Sequence, residues 1–179
     1  MNKKFNVIVL GGGVAGLEFI TRAAQRDGHQ HFNFTLIDKS HLHVWKPMLH
    51  TFAAGSQSPD EQSIEFLSQA KKNSYVYQPG EVIHIDRQQK KITLAAYYND
   101  ENIEILPERY VDYDYLVIAL GSRSNDFNTK GVKEFAHVVD DLSAALKFQK
   151  ALQDQLIQAA ILKKVHHLII VGAGATGVE

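Results

Sequence analysis

Apolar positions at the start of the chain change period twice within 34 residues. A continuous apolar run from Phe5 to Leu10 predicts a buried strand, and the residues from about Val14 to Asp27 have the spacing of a helix. A second strand is predicted from Phe32 to Ile37, ending at Asp38. This order predicts a β-α-β unit.

The segment after Asp38 has no clear period until residue 57. Its sequence, HLHVWKPMLHTFAAGSQ, predicts a loop with short helical turns. The next stretch, SPDEQSIEFLSQAKK, predicts one helix in which Ser58 caps, Pro59 takes the first helical position and Glu61 completes a capping box.

From Tyr75 to Val111 the period becomes two, which predicts a small antiparallel meander. It includes a hairpin that turns around Arg87 to Lys90 and an extended piece near Ile103 to Leu106. The following YDYLVIALGS, residues 113–122, predicts a parallel strand buried on both faces and ended by Gly121.

The last third begins with a loop at residues 122–139 and continues with a long helix, DDLSAALKFQKALQDQLIQAAILKK. Leu168 to Val171 then predicts another strand, followed by Gly172, Gly174 and Gly177. The glycine pattern of the first turn, at Gly11, Gly13 and Gly16, is therefore repeated at the other end of the chain.

These elements predict an α/β fold. We expect a Rossmann-like dinucleotide-binding domain with a parallel sheet and an antiparallel β-meander over residues 1–122, and a connecting loop and helix over residues 123–165. Residues 166–179 are expected to be the start of a second, truncated Rossmann-like domain.

Composition narrows the function classes. Apolar residues make up 45% and charged residues 22%, as in globular proteins, and the formal net charge of −1 leaves no basic surplus for nucleic acid. The absence of cysteine excludes disulfides, thiolate nucleophiles and iron–sulfur ligation in this chain. No apolar run reaches the roughly 18 to 20 residues that span a bilayer, and cytoplasmic is the default location.

The first glycine turn carries the clearest chemistry. Gly11 permits the tight turn, Gly13 lets the backbone approach a pyrophosphate, and Gly16 lets the helix pack closely on the strand. The amino terminus of the helix then presents unpaired N–H groups to the phosphates. Asp38 lies where a carboxylate accepts hydrogen bonds from the ribose hydroxyls of an adenosine, which favours FAD or NAD over NADP.

Three histidines, His41, His43 and His50, lie within ten residues of one another. No acidic or cysteine partner lies among them, so we interpret them as surface or packing residues and predict no metal site.

The first glycine turn together with YDYLVIALGS resembles the FAD-binding signatures of flavoproteins with two dinucleotide-binding domains, the pyridine nucleotide disulfide oxidoreductase superfamily. The stretches HLHVWKPMLHTFAAGS, SPDE, GSRSNDF and GAGATGVE resemble, within it, the type II NADH dehydrogenases. This resemblance covers essentially the whole chain.

The resemblance implies that FAD lies at the first turn and that NADH lies at the second. The implied FAD-binding residues are Gly11, Gly12, Gly13, Val14, Ala15, Gly16, Asp38, Lys39, Lys46, Pro47, Val82, Ala119, Leu120 and Gly121. Lys46 and Pro47 would lie beside the isoalloxazine ring, and the backbone of Val82 would bind the adenine. Gly172, Gly174 and Gly177 would bind NADH, and Glu179, the implied catalytic residue, would lie near the nicotinamide.

The implied activity is transfer of a hydride from NADH to FAD and of electrons onward to a quinone. A ferredoxin or rubredoxin reductase would share both glycine turns, and so would a non-catalytic redox-sensing module. Sulfide-oxidising relatives are disfavoured because they use cysteines.

Family members continue beyond the second glycine turn and end in a membrane-associating region. We therefore expect this chain to be an amino-terminal portion that is inactive alone and holds FAD poorly. The resemblance places the whole protein on the inner face of the cell membrane and allows a homodimer.

Overall fold

The computed structural model describes residues 3–27, 30–99, 101–172 and 174–178. The chain divides into two compact units. Unit 1 consists of Met1–His43 and Ile64–Gly121, and unit 2 consists of Val44–Ser63 and Ser122–Glu179.

The strands, in chain order, are β1 (Phe5–Leu10), β2 (Phe32–Asp38), β3 (Leu42–Val44), β4 (Ser63–Glu65), β5 (Val76–Pro79), β6 (Val82–Asp86), β7 (Lys91–Leu94), β8 (Tyr97–Tyr98), β9 (Glu104–Leu106), β10 (Arg109–Asp112) and β11 (Tyr115–Ile118). The helices are α1 (Val14–Asp27), α2 (Leu49–Ala54), α3 (Pro59–Gln62), α4 (Phe66–Asn73), α5 (Val132–Phe135), α6 (Leu142–Leu162) and α7 (Ala175–Val178). A short 3₁₀ turn covers Lys46–Met48.

Unit 1 contains a four-stranded parallel sheet in the order β11-β1-β2-β5. The chain moves from β1 to β2 on one side and later returns to β11 on the other side of β1. Ligands of open parallel sheets bind at the carboxyl ends of the strands where the order reverses in this way. A ligand site in this unit is therefore expected at the carboxyl end of β1.

Alternate residues of β1 enter two different cores, as the two-residue period of a strand requires. Val7 and Val9 pack with Ile20 of α1 and Phe66 of α4 on one face. The opposite face buries Ile8 and Leu10 against β7 residues of a three-stranded antiparallel sheet, whose order is β10-β7-β6. Unit 1 thus has helices, a parallel sheet and an antiparallel sheet in three layers, and the predicted α/β fold class is confirmed.

Unit 2 is built around α2 and the long helix α6. Leu49, Phe52 and Ala53 pack on Ala145, which is fully buried. Asp141 caps α6 by accepting a hydrogen bond from the Ala144 N–H at 3.0 Å. The predicted long helix is confirmed.

Two of the predicted elements differ from the structure in the middle of the chain. The single helix predicted from residue 58 is instead α3, β4 and α4. Ser58 and Pro59 hold the expected first positions of α3, but the Ser58 side chain makes no capping bond. Residues 63–65 pair with β3, and this non-local pairing overrides the local helical pattern. The predicted meander also begins too early, because Val76–Pro79 joins the parallel sheet beside β2.

The strand that the sequence predicts to be buried on both faces is partly exposed, and a second predicted strand does not form. Tyr115 and Ile118 of β11 are 55% and 63% exposed because β11 is the edge strand of its sheet. Residues 168–171 form no strand, and Ile169 and Val171 are 82% and 94% exposed. No neighbouring strand pairs with them in the described part of unit 2, so the apolar pattern alone does not produce a strand there.

None of the described helices combines the length and the apolar character needed to cross a membrane.

Candidate dinucleotide-binding site

Gly11 follows β1 and turns the chain sharply. Its φ of +96° is in the left-handed region, and its N–H donates to the Ile37 carbonyl of β2 at 2.8 Å. A Cβ at Gly11 would lie 2.7 Å from the Ala119 carbonyl carbon and 2.9 Å from the Leu120 Cα. A Cβ at Gly16 would collide with the Gly11 carbonyl oxygen. Gly11 is therefore required for the tight turn, and Gly16 is required for its close approach to the Gly11 carbonyl.

Gly12 and Gly13 differ in what surrounds them. A Cβ at Gly12 would overlap the Phe66 ring, whereas a Cβ at Gly13 would meet no heavy atom of the described chain within 4 Å. The backbone is therefore closely packed at Gly12 and open at Gly13. The open position is the one at which the sequence predicts close approach of a pyrophosphate.

Asp38 ends β2 and turns its carboxylate toward the glycine turn. Its Oδ2 accepts from the Gly12 N–H at 2.6 Å, and its Oδ1 accepts from the Ser40 N–H at 2.8 Å. Tyr77 lies nearby and donates its hydroxyl to the Ser40 carbonyl at 2.7 Å. Burial, with the negative charge of Asp38 as a further cause, raises the pKa of Tyr77 to about 12, so its hydroxyl keeps its proton.

Helix α1 starts at Val14, which is 67% exposed, and Ala15 is exposed as well. The first N–H groups of an α-helix have no partner within the helix, so those at this end are directed toward the carboxyl edge of the sheet. The positive end of the helix dipole adds to their attraction for an anion. The turn and the start of the helix together form a surface suited to a phosphate.

Four other predicted residues lie in or directly after segments that contact this turn or Asp38. The Ala119 N–H donates to the Leu10 carbonyl at 2.8 Å, which brings Ala119 and Leu120 beside Gly11. Gly121 follows with a φ of +75°. Val82 begins β6 two residues after Gly80, whose N–H donates to the Asp38 carbonyl at 3.0 Å.

Lys39 is exposed next to Asp38. The remaining predicted residues belong to unit 2. Lys46 Nζ donates to the Ser122 carbonyl at 2.9 Å, and Pro47 lies in the 3₁₀ turn. Gly172 has a φ of +116°. Glu179 lies outside the described residues.

A charged cluster surrounds Lys46 within unit 2. Asp140 accepts from the hydroxyl and the N–H of Ser124 at 2.6 Å and 3.0 Å. Partial burial would raise the pKa of Asp140, but the Ser124 hydrogen bonds and the charges of Lys46 and Arg123 outweigh it and lower this pKa below its usual range.

The sequence interpretation missed two residues that contact the turn. His43 Nδ1 lies 2.7 Å from the Gly12 carbonyl oxygen, and Phe66 packs on Gly12. Neither residue is adjacent to the glycines in sequence. The only local signal was Gly12, the middle of three consecutive glycines, which the GxGxxG pattern leaves unspecified.

An apolar groove lies elsewhere in unit 1, with a volume of about 740 Å³. Its lining includes Phe19 of α1, Phe32 of β2 and Tyr115 of β11. These strand residues stand at the amino ends of their strands, opposite the glycine turn, so the groove is not the candidate site. Within the described ranges, no three His, Asp or Glu side chains are grouped so as to hold a metal ion.

The fold and the turn define a class of protein. A glycine turn after the central parallel strand, a helix that starts at it, and an acidic residue at the end of the neighbouring strand define a dinucleotide-binding α/β fold.

The family model for pyridine nucleotide-disulphide oxidoreductase matches residues 5–179, and the chain belongs to this family. It is 35% identical to the type II NADH:quinone oxidoreductase of Haemophilus influenzae and 32% identical to that of Staphylococcus saprophyticus, each over 97% of this chain. The structure of NDH2 from Plasmodium falciparum in complex with NADH superposes with a TM-score of 0.74 and 27% identity, covering 91% of this chain and 32% of that one. The resemblance drawn from the motifs is confirmed.

The chain spans 43% and 41% of the length of these two bacterial relatives.

Proposed function

We propose that this chain supplies the FAD-binding part of an NADH:quinone oxidoreductase. The observation that carries the proposal is the open backbone at Gly13, between a glycine turn fixed by Gly11 and Gly16 and the start of α1. Membership of the oxidoreductase family and similarity to type II NADH:quinone oxidoreductases support this function for the whole protein.

The residues of unit 1 fit the adenosine diphosphate half of FAD. Gly13 leaves space for a pyrophosphate, and the N–H groups of Val14 and Ala15 at the start of α1 are suited to bind it. Each oxygen of the Asp38 carboxylate accepts one backbone bond and retains lone pairs for ribose hydroxyl donors. The backbone of Val82 would bind the adenine.

FAD would supply the redox chemistry, by accepting a hydride from NADH and passing electrons to a quinone. The chain's own residues bind and orient the ligands. We assign Ala119, Leu120 and Gly121 to the flavin end of FAD, together with Lys39, Lys46 and Pro47. Gly172, Gly174 and Gly177 are assigned to NADH, and Glu179 to the nicotinamide. No described side chain is required as a proton donor for this hydride transfer.

At the level of the whole protein, we propose attachment to the inner face of the cell membrane, where a lipid quinone is available. We also propose a homodimer. Sedimentation with membranes of a cell expressing the whole protein, and light scattering after its extraction, test these two points.

The cofactor assignment is tested by equilibrium titration of the 179-residue chain with FAD and with FMN, which lacks the adenosine half. We expect weak but saturable binding of FAD and none of FMN. Gly13→Val should abolish FAD binding, because its side chain would fill the open space at the turn. Equal binding of FMN and FAD would contradict the assignment.

The activity is tested with a chimera in which this chain replaces the matching part of the Haemophilus influenzae relative. We expect the chimera to retain FAD and to oxidise NADH with a soluble quinone, while the 179-residue chain alone does not. A chimera that holds FAD and passes electrons only to a ferredoxin would favour the ferredoxin reductase alternative.

A further inference from the structure

Gly12 is contacted on three sides by three different elements of unit 1. Its N–H donates to Asp38 Oδ2 at 2.6 Å, and its carbonyl oxygen lies 2.7 Å from His43 Nδ1. The Phe66 ring occupies the space that a side chain at this position would need. Gly12 does not have a positive φ, so it is required for space and not for its backbone conformation.

The direction of the His43 bond follows from its acceptor. A carbonyl oxygen only accepts hydrogen bonds, so Nδ1 carries the proton and donates it. Both the neutral ring with its proton on Nδ1 and the doubly protonated ring can form this bond.

The histidine is held by a residue that is itself fixed in the core. Its ring lies 6.4 Å from the Phe66 ring, centroid to centroid. Phe66 is 1% exposed, packs on Tyr77 at 5.4 Å, and donates its N–H to the His41 carbonyl at 3.0 Å. The His43 side chain, which donates to Gly12, therefore lies next to the buried residues on the helix face of the sheet.

The hydrogen bond from His43 to the Gly12 carbonyl also affects Gly13. The Gly12 carbonyl and the Gly13 N–H belong to the same peptide group, which is planar and trans, so they point in opposite directions. Holding the carbonyl fixes the direction of the Gly13 N–H. A Cβ at Gly13 would meet no heavy atom of the described chain within 4 Å, so there is space beside Gly13 for a ligand.

We propose that His43 is a positioning residue which, through the Gly12–Gly13 peptide, aims the Gly13 N–H at the pyrophosphate of the bound dinucleotide. This proposal rests on the proposed function of the glycine turn. It adds a residue outside the GxGxxG pattern to the phosphate-binding apparatus.

The test compares His43→Leu, which removes the donor, with His43→Asn, whose side-chain nitrogen can occupy nearly the position of Nδ1. The ligands are FAD, ADP and adenosine, with dissociation constants measured by titration calorimetry or NMR shifts. His43→Leu should weaken FAD and ADP by about tenfold and leave adenosine unchanged, since only the phosphate contact is lost. His43→Asn should restore FAD and ADP affinity to within about threefold of the wild type. The matched control His166→Leu, at an exposed position of unit 2, should change none of them.

A merely structural role for His43 would weaken adenosine as much as ADP and would not be rescued by asparagine; either result would overturn the proposal. Failure of the wild-type chain to bind FAD or ADP would instead count against the proposed function. The positioning is then decided by the Gly13 amide resonance in ¹⁵N-labelled protein. We expect one sharp resonance in the wild type and His43→Asn, and broadening in His43→Leu. A sharp, unshifted resonance in His43→Leu would overturn the positioning role.

Discussion

The two glycine turns share several local features in different surroundings. Gly11 and Gly172 both have positive φ, at +96° and +116°. In each turn the last glycine lies against the carbonyl oxygen of the first, and a Cβ at Gly177 would be 2.5 Å from the Gly172 oxygen. A helix follows each turn, α1 in one case and the four-residue α7 in the other.

What precedes the two turns is different. Four residues of β1, from Val7 to Leu10, are at most 6% exposed, and β1 pairs with β2 and β11. Residues 168–171, which are equally apolar, are exposed and form no strand. A glycine turn therefore forms from its own sequence, whereas the strand before it needs another strand to pair with.

The largest expected effect is a difference in stability between the same substitution in the first turn and in the second turn. Gly16→Ala should lower the free energy of unfolding by about 3 kcal/mol, because Gly11 is held by Ile37 and Ala119 and cannot move away from the new methyl group. Gly177→Ala creates the same local clash but should cost less than about 0.5 kcal/mol, because the exposed residues before it can adjust. Urea unfolding followed by circular dichroism measures both. Equal losses would mean that the surroundings of the turns do not matter.

A second prediction tests the hydrogen bond between the first turn and Asp38 of β2. Asp38→Ala removes the acceptor of the Gly12 N–H and the predicted ribose contact, and should weaken FAD binding by about ten- to a hundredfold. Asp112→Ala, at the exposed end of β10, is the matched control and should leave the dissociation constant unchanged. An unaltered FAD affinity in Asp38→Ala would leave this carboxylate with a structural role only.

A third prediction compares alanine substitutions at Gly12, which is closely packed, and at Gly13, which is open. Gly12→Ala should destabilise the protein by about 1 to 2 kcal/mol, because its methyl group would overlap the Phe66 ring. Gly13→Ala should change stability by less than about 0.5 kcal/mol but should reduce FAD affinity, since its methyl group enters the open space. Thermal unfolding without ligand and titration with FAD distinguish the two. The reverse pattern would refute the assignment of Gly13 as the point of phosphate approach.

The smallest effect is a pH dependence in unit 2, where Asp140 has a lowered pKa because its hydrogen bonds from Ser124 and two nearby cations outweigh partial burial. A carboxyl group with a lowered folded pKa stabilises the folded state above its unfolded pKa of about 4, and this stability is lost as the pH falls through the folded pKa. Asp140→Asn should therefore lower the melting temperature slightly at pH 7, by an amount equivalent to less than about 1 kcal/mol at this mostly exposed site. The difference from the wild type should shrink below about pH 4. A difference that stays constant down to acid pH would exclude the ionised carboxylate as its cause.

Local patterns were sufficient to predict much of unit 1. The limits of β1, α1 and β2 agree with the sequence prediction, as does the hairpin turn at residues 87–90. The reason is that helix periodicity, strand alternation and glycine turns are encoded within a few residues. The predicted helix from residue 58 was wrong because its middle residues pair with β3, and that gain is not visible in the local pattern.

In the candidate site, too, some residues could be predicted from local patterns and others could not. Gly11, Gly16 and Asp38 could be selected from the sequence because their spacing has a direct physical meaning. His43 and Phe66 could not, since β3 and α4 bring them to Gly12 from 31 and 54 positions away along the chain.

The sequence by itself determined the first glycine turn, helix α1 and the acidic end of β2. Each depends on backbone conformations or side chains within a short segment, so no distant partner is required. Only the tertiary structure decided which apolar segment became a buried strand and which side chains enclose Gly12. A strand gains its hydrogen bonds and its burial from other segments, so Val7 to Leu10 and residues 168–171 reach opposite states from similar patterns.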